Sequence, residues 1–154
     1  MKVAVILVAA VLLAACGSPA VSKEAISGVY SVTLTKEALS NAGAGFMLAT
    51  SFDKASLVLE LSPEGVYRID RLTAVGRSSL GVGTYELTAK ELIFGADTGE
   101  LGCSAIGVDK GRYGWMVAGD WLELSLIADD CDDRAYPLTA LPWMRTELPF
   151  LGAP

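Results

Sequence analysis

The sequence predicts an all-β fold, about eight antiparallel strands in an up-and-down barrel with one short helix after the first strand. Three observations carry this. Apolar and polar residues alternate in short runs, the period-2 pattern of strands with one buried face. Turn-formers separate many of these runs, as at Pro63-Glu64-Gly65, Thr88-Ala89-Lys90 and Ala118-Gly119-Asp120. No helical pattern alternates with the strands, so a βαβ arrangement is excluded, and closing a meander into a barrel removes its open edges.

Residues 16–26 read as a flexible tether that spans roughly 35 Å when extended. Residues 28–35 alternate, with Tyr30, Val32 and Leu34 on one face, and form the first strand. Lys36 to Ala42 holds helix formers and no β-branched residue, with Thr35 as N-cap and Gly43 as stop. Residues 45–54 fit helix and strand equally. Leu57, Leu59 and Leu61 share a face of the second strand, and Val66 to Arg71 returns from the Pro63 turn. Residues 73–79 read as a loop, and 81–87 with 91–95 as a second hairpin. Residues 96–110 read as a polar, Gly-rich connection holding Cys103. In the third hairpin Tyr113, Trp115 and Val117 share one face of the outgoing strand, and Leu122, Leu124 and Leu126 share one face of the returning strand. Tyr136 to Arg145 reads as a last strand, weakened by Pro137 and Pro142 and so suited to an edge or bulge.

The N-terminus speaks about address. A basic tip at Lys2, an apolar run from Val3 to Leu12 and then Leu13-Ala14-Ala15-Cys16 resemble a bacterial lipoprotein signal peptide with its lipobox. A membrane span needs about 20 apolar residues, and this run is shorter and ends at Gly17-Ser18-Pro19. The resemblance implies removal of residues 1–15, lipidation of Cys16 with chains such as palmitate, and a membrane partner through that lipid. It places the protein in the cell envelope: at the outer membrane of a diderm, since Gly17 follows Cys16, or at the outer face of a monoderm's only membrane. Residues 27–154 then form one domain.

Without residues 1–15 the side chains carry 11 basic against 18 acidic groups, a net of −7. A nucleic-acid partner is disfavoured. There is no histidine, which removes Ser-His-Asp and Cys-His catalysis, His-containing zinc sites and His-ligated haem. No enzyme activity, metal or cofactor is expected. With Cys16 assigned to lipid, Cys103 and Cys131 remain as an even pair in an exported chain. They flank the third hairpin at the same open end, and a disulfide between them is expected.

Residues 111–145 resemble a bacterial lipocalin-like (calycin-type) domain. The likeness rests on Gly111-Arg112-Tyr113-Gly114-Trp115, Asp120-x-Leu122-x-Leu124, Asp129-Asp130-Cys131-x-x-Arg134 and Trp143-x-Arg145. The first half follows more loosely, through Gly28-Val29-Tyr30 and Glu64-Gly65-Val66-Tyr67. Lipocalins place a tryptophan of a Gly-x-Trp motif under a C-terminal arginine. Here Tyr30 stands at that place and Arg145 is the matching lid. The resemblance implies a barrel and the general idea of a ligand cavity, and names no ligand.

An eight-stranded barrel is either filled by its side chains or holds one small ligand. A pocket, with Tyr67, Tyr85, Tyr113 and Trp115 as ligand-binding candidates and the first helix as gate, would need Gly81, Gly83, Gly114 and Ser125 to point inward. Asp129, Asp130, Asp132 and Asp133 crowd Cys131, but the glycine and terminal glutamate of a calcium loop are missing, so they read as a solvated acidic turn pairing locally with Arg134. Trp121 lies opposite Leu122 and is a candidate for an exposed contact. The resulting expectation is a monomeric, lipid-anchored barrel that binds a small apolar or amphipathic molecule. The alternative is a structural or inhibitory module with a filled barrel that grips a protein. An internal cavity favours the first, and an exposed apolar patch around Trp121 the second.

Overall fold

The computed structural model describes residues 21–101 and 103–148. The signal region and Cys16 lie outside them. Eight strands close a barrel in chain order: β1 (Gly28–Thr33), β2 (Ser56–Leu61), β3 (Val66–Thr73), β4 (Gly76–Leu87), β5 (Glu91–Thr98), β6 (Gly111–Ala118), β7 (Trp121–Ala128) and β8 (Trp143–Arg145). Every neighbouring pair is antiparallel, and closure comes from β8 pairing with β1 through Tyr30↔Arg145 and Ser31↔Met144. This is the up-and-down architecture that alternation and tight turns predict.

α1 (Lys36–Asn41) follows β1, with the Thr35 hydroxyl accepting from the Ala38 amide at 3.1 Å. The ambiguous stretch 45–54 contains α2 (Phe46–Ser51), which buries Ala49. The tether is shorter than residues 16–26. A 3-10 turn at Lys23–Ala25 is capped by Ser22, and Ile26 is fully buried, so the fold starts before Gly28.

Three other expectations are corrected. The loop at 73–79 shrinks to Ala74 and Val75, because Thr73 pairs with Gly76 and the polar Arg77, Ser78 and Ser79 continue the ladder. The connection at 96–110 begins later, since β5 extends to Thr98, and Ser104–Ile106 forms a second 3-10 turn. The stretch Tyr136 to Arg145 is not one strand. Its first part lies in α3 (Asp132–Thr139), and only Trp143–Arg145 pair as β8. Asp132 and Asp133 sit in the first turn of α3, where negative charge suits the helix dipole. Pro137, the sixth residue of the helix, cannot give the backbone bond that an N–H there would make to the Asp133 carbonyl. The helix buries Arg134, Ala135, Pro137 and Leu138 against the end of the barrel.

The expected disulfide joins Cys103 to Cys131, with Cα atoms 5.5 Å apart. It ties the segment after β5 to the start of α3 at the end of the barrel that α1, α2 and α3 cover.

Candidate functional site

The barrel interior is packed with side chains. Tyr30, Leu57, Leu59, Tyr67, Phe94 and Tyr113 have no exposed surface. Phe94 meets Tyr67 edge-on at 4.5 Å between ring centroids and Tyr113 at 5.5 Å. Where α3 closes the end, the interstice among Phe52, Leu57, Ile69, Leu80 and Trp143 is too small to admit a water molecule.

Each interior tyrosine donates its hydroxyl to a protein acceptor. Tyr30 donates to the Ile26 carbonyl at 2.8 Å and Tyr85 to the Ser62 carbonyl at 2.6 Å. Tyr67 donates to Asp97 at 3.2 Å, and Tyr113 to Asp129. Burial pushes all four phenol pKa values up, and the carboxylates of Asp97 and Asp129 add to the effect at Tyr67 and Tyr113. Tyr67, Tyr85 and Tyr113 are thus satisfied core groups and offer no free polar atom to a ligand.

Arg134, also without exposed surface, sits between two acids, Asp97 and Asp129, whose side chains are buried. It donates from Nε to Asp129 at 2.7 Å and from Nη1 to Asp97 at 3.2 Å. Burial works against its charge, but the hydrogen bond and charge of Asp129 outweigh this and raise its pKa. The solvated acidic turn is therefore corrected twice: Asp132 and Asp133 begin α3, and the Asp129 side chain is buried and anchored by Arg134, Tyr113 and the Cys131 amide. Among the described residues no group of three or more His, Cys, Asp or Glu side chains is arranged to hold a metal ion.

At the opposite end Arg145 lies over the Tyr30 ring, 4.8 Å from its centroid, and donates to the Ser27 carbonyl at 2.8 Å. A Cβ on Gly28 would collide with this guanidinium, and Gly28 has φ +152°, so this position needs glycine. Trp143 is fully buried and donates to the Leu138 carbonyl at 2.9 Å. Trp115 is half-buried at the rim and donates to the Thr88 carbonyl at 3.0 Å. Of the small residues, Gly81 packs under Leu101, Gly83 pairs with Tyr67, and Gly114 faces the exposed Ser125 on the outer surface. Gly81 and Gly83 thus share the inward face with Ile69 and Tyr67, but the Leu101 side chain fills the space over Gly81.

The roomy apolar site lies on the outer wall. β8 is three residues long and pairs with β7 only through Trp121↔Met144 and Leu122↔Trp143. Register aligns Ser31, Met144, Trp121 and Ala118 in one outward row across β1, β8, β7 and β6. Two residues along each strand, by the period-2 rule, Thr33, Pro142, Glu123 and Met116 form a second row. Together with Leu141 and Val32 these rows line a groove of about 740 Å³. Met116, Trp121 and Met144 are 55%, 44% and 46% exposed. Sequence alternation flags Trp121. It gives no sign that Met116 and Met144 join it, because that neighbourhood depends on where the three-residue β8 docks.

No family model matches the chain, and no curated protein matches it. Among solved structures, the fluorescent protein UnaG matches at 13% identity over 70% of this chain and 92% of its own, with a TM-score of 0.36. A point mutant of UnaG matches at 14% identity over 70% and 91%, also with a TM-score of 0.36.

Proposed function

We propose that this protein is a lipid-anchored lipoprotein of the cell envelope, and that its barrel is a rigid scaffold for binding a small apolar or amphipathic molecule in the outer groove. The observation that supports this is the groove beside β8. Its volume lies within the roughly 300–1,000 Å³ of small-molecule sites, and its walls are apolar with a few polar groups. Met116 and Met144 add flexible, polarizable surface that adapts to a ligand's shape. The filled interior moves the binding site from inside the barrel to its wall. α1 is then part of the end cover and not a gate. The anchor rests on the lipobox-like Leu13-Ala14-Ala15-Cys16, and more than one acyl chain is needed for firm attachment.

A second reading is favoured by the same surface. A filled barrel with Trp121 exposed also suits a module that grips a protein partner.

Native mass spectrometry of the mature chain with Cys16→Ser, exported to a periplasm, separates the two. The barrel closes within residues 28–145, so the substitution leaves it intact. An adduct in the mass range of a lipid or other amphiphile, lost in Met144→Arg, supports the small-ligand reading. A bare mass after lipid titration leaves the protein-gripping module. Labelling of the unaltered chain by a palmitate analogue, absent in Cys16→Ser, is the expected result for the anchor. Equal labelling of both overturns it.

A further inference from the structure

We infer that the groove selects amphiphiles that carry a positive charge, such as an alkylammonium, with Glu123 holding the cation. The inference rests on the small-ligand reading above and deepens it. Glu123 is the one ionisable side chain lining the groove among the described residues, and no Lys or Arg lines it. It is exposed, and no described residue forms an ion pair with it. It stands opposite Met116 in the β6–β7 ladder and two residues from Trp121 on the same face. An apolar chain laid along Met116, Met144 and Pro142 can therefore present a cationic head to the carboxylate. The half-exposed Trp121 ring offers a second, cation–π contact to the same head. A fatty-acid carboxylate in that pose would face Glu123 with like charge, and the net of −7 outside the signal region adds to the repulsion.

The test is isothermal titration calorimetry on the mature Cys16→Ser chain with three amphiphiles of equal chain length below their micelle-forming concentrations. These are dodecyltrimethylammonium, dodecanoate and neutral dodecyl maltoside. The ammonium compound should bind about two- to fivefold more tightly than the other two, the scale of an exposed ion pair, and Glu123→Gln should remove that advantage. Trp121→Ala should weaken all three, and the ammonium compound most. Glu86→Gln, an exposed carboxylate on β4, should change nothing. Equal binding of the three, or equal loss in Glu86→Gln and Glu123→Gln, overturns the charge selection and leaves the groove standing. Absence of binding by all three overturns the groove reading itself.

Discussion

Arg145 donates from Nη2 to the Tyr30 hydroxyl at 2.6 Å while its guanidinium covers the Tyr30 ring. One side chain thereby locks the last strand onto the first, where only two residue pairs join β8 to β1. Arg145→Ala should cost about 3 kcal/mol, because it removes the charged hydrogen bonds and the cation–π interaction together. Arg145→Lys should recover less than half, because an ammonium cannot fork between Ser27 and Tyr30. Urea unfolding followed by circular dichroism checks both. Full rescue by lysine would show that charge alone closes the barrel.

At the other end, Arg134 pairs with both Asp97 and Asp129, and the three side chains are essentially out of contact with water. Arg134→Met should cost about 3–5 kcal/mol, because it strands two buried carboxylates. Adding Asp97→Asn and Asp129→Asn should restore part of that loss. A triple variant less stable than Arg134→Met alone would show that Arg134 acts by packing and not by charge.

The barrel itself was legible because its strands alternate. Leu57, Leu59 and Leu61 read as a buried face and are one. α1 was legible because Thr35 is a local cap. The final segment was not: Asp132 and Asp133 read as a solvated turn, and they form the first turn of α3. The helix is anchored by Arg134, whose partner Asp97 lies 37 residues away in sequence. The groove was half legible. Trp121 shows in the alternation, but its neighbour Met144 depends on a pairing across the closed barrel.

The disulfide spans a sequence separation of 28 residues. In the chain-entropy account a closed loop of this length stabilises by about 3.5 kcal/mol. The double variant Cys103→Ser/Cys131→Ser should therefore melt lower by on the order of 10 °C. Reductant should lower the melting temperature of the unaltered chain by a similar amount and leave the double variant unchanged. A variant that melts with the unaltered chain would show that α3 docks without the bond.

Stability should also fall at alkaline pH. Tyr30, Tyr67, Tyr85 and Tyr113 have folded pKa values raised above the ordinary 10.0, chiefly by burial. The fold therefore favours their neutral forms. Their contribution is complete below pH 10 and falls as pH rises above it, because the unfolded phenols ionise while the buried ones do not. Ultraviolet absorbance of phenolate should show these four tyrosines ionising only as the barrel's circular dichroism is lost. Ionisation of all five tyrosines with that signal intact would place at least some of the four in contact with solvent.

Trp115 and Trp143 separate core from rim most sharply. Both lie on strands of the barrel, and truncating a core tryptophan costs roughly 3–5 kcal/mol. The structure assigns that cost to Trp143, which is fully buried and donates to the Leu138 carbonyl between α3 and β8. Trp115 is half-buried, and its indole N–H reaches only the turn carbonyl of Thr88. Removing it exposes less apolar area and strands a group that water can reach, so Trp115→Ala should cost about 1–2 kcal/mol. Denaturant midpoints of the two alanine variants test the order. Equal losses would mean that the rim at Thr88 is packed as tightly as the α3 end, and that Trp115 belongs to the core.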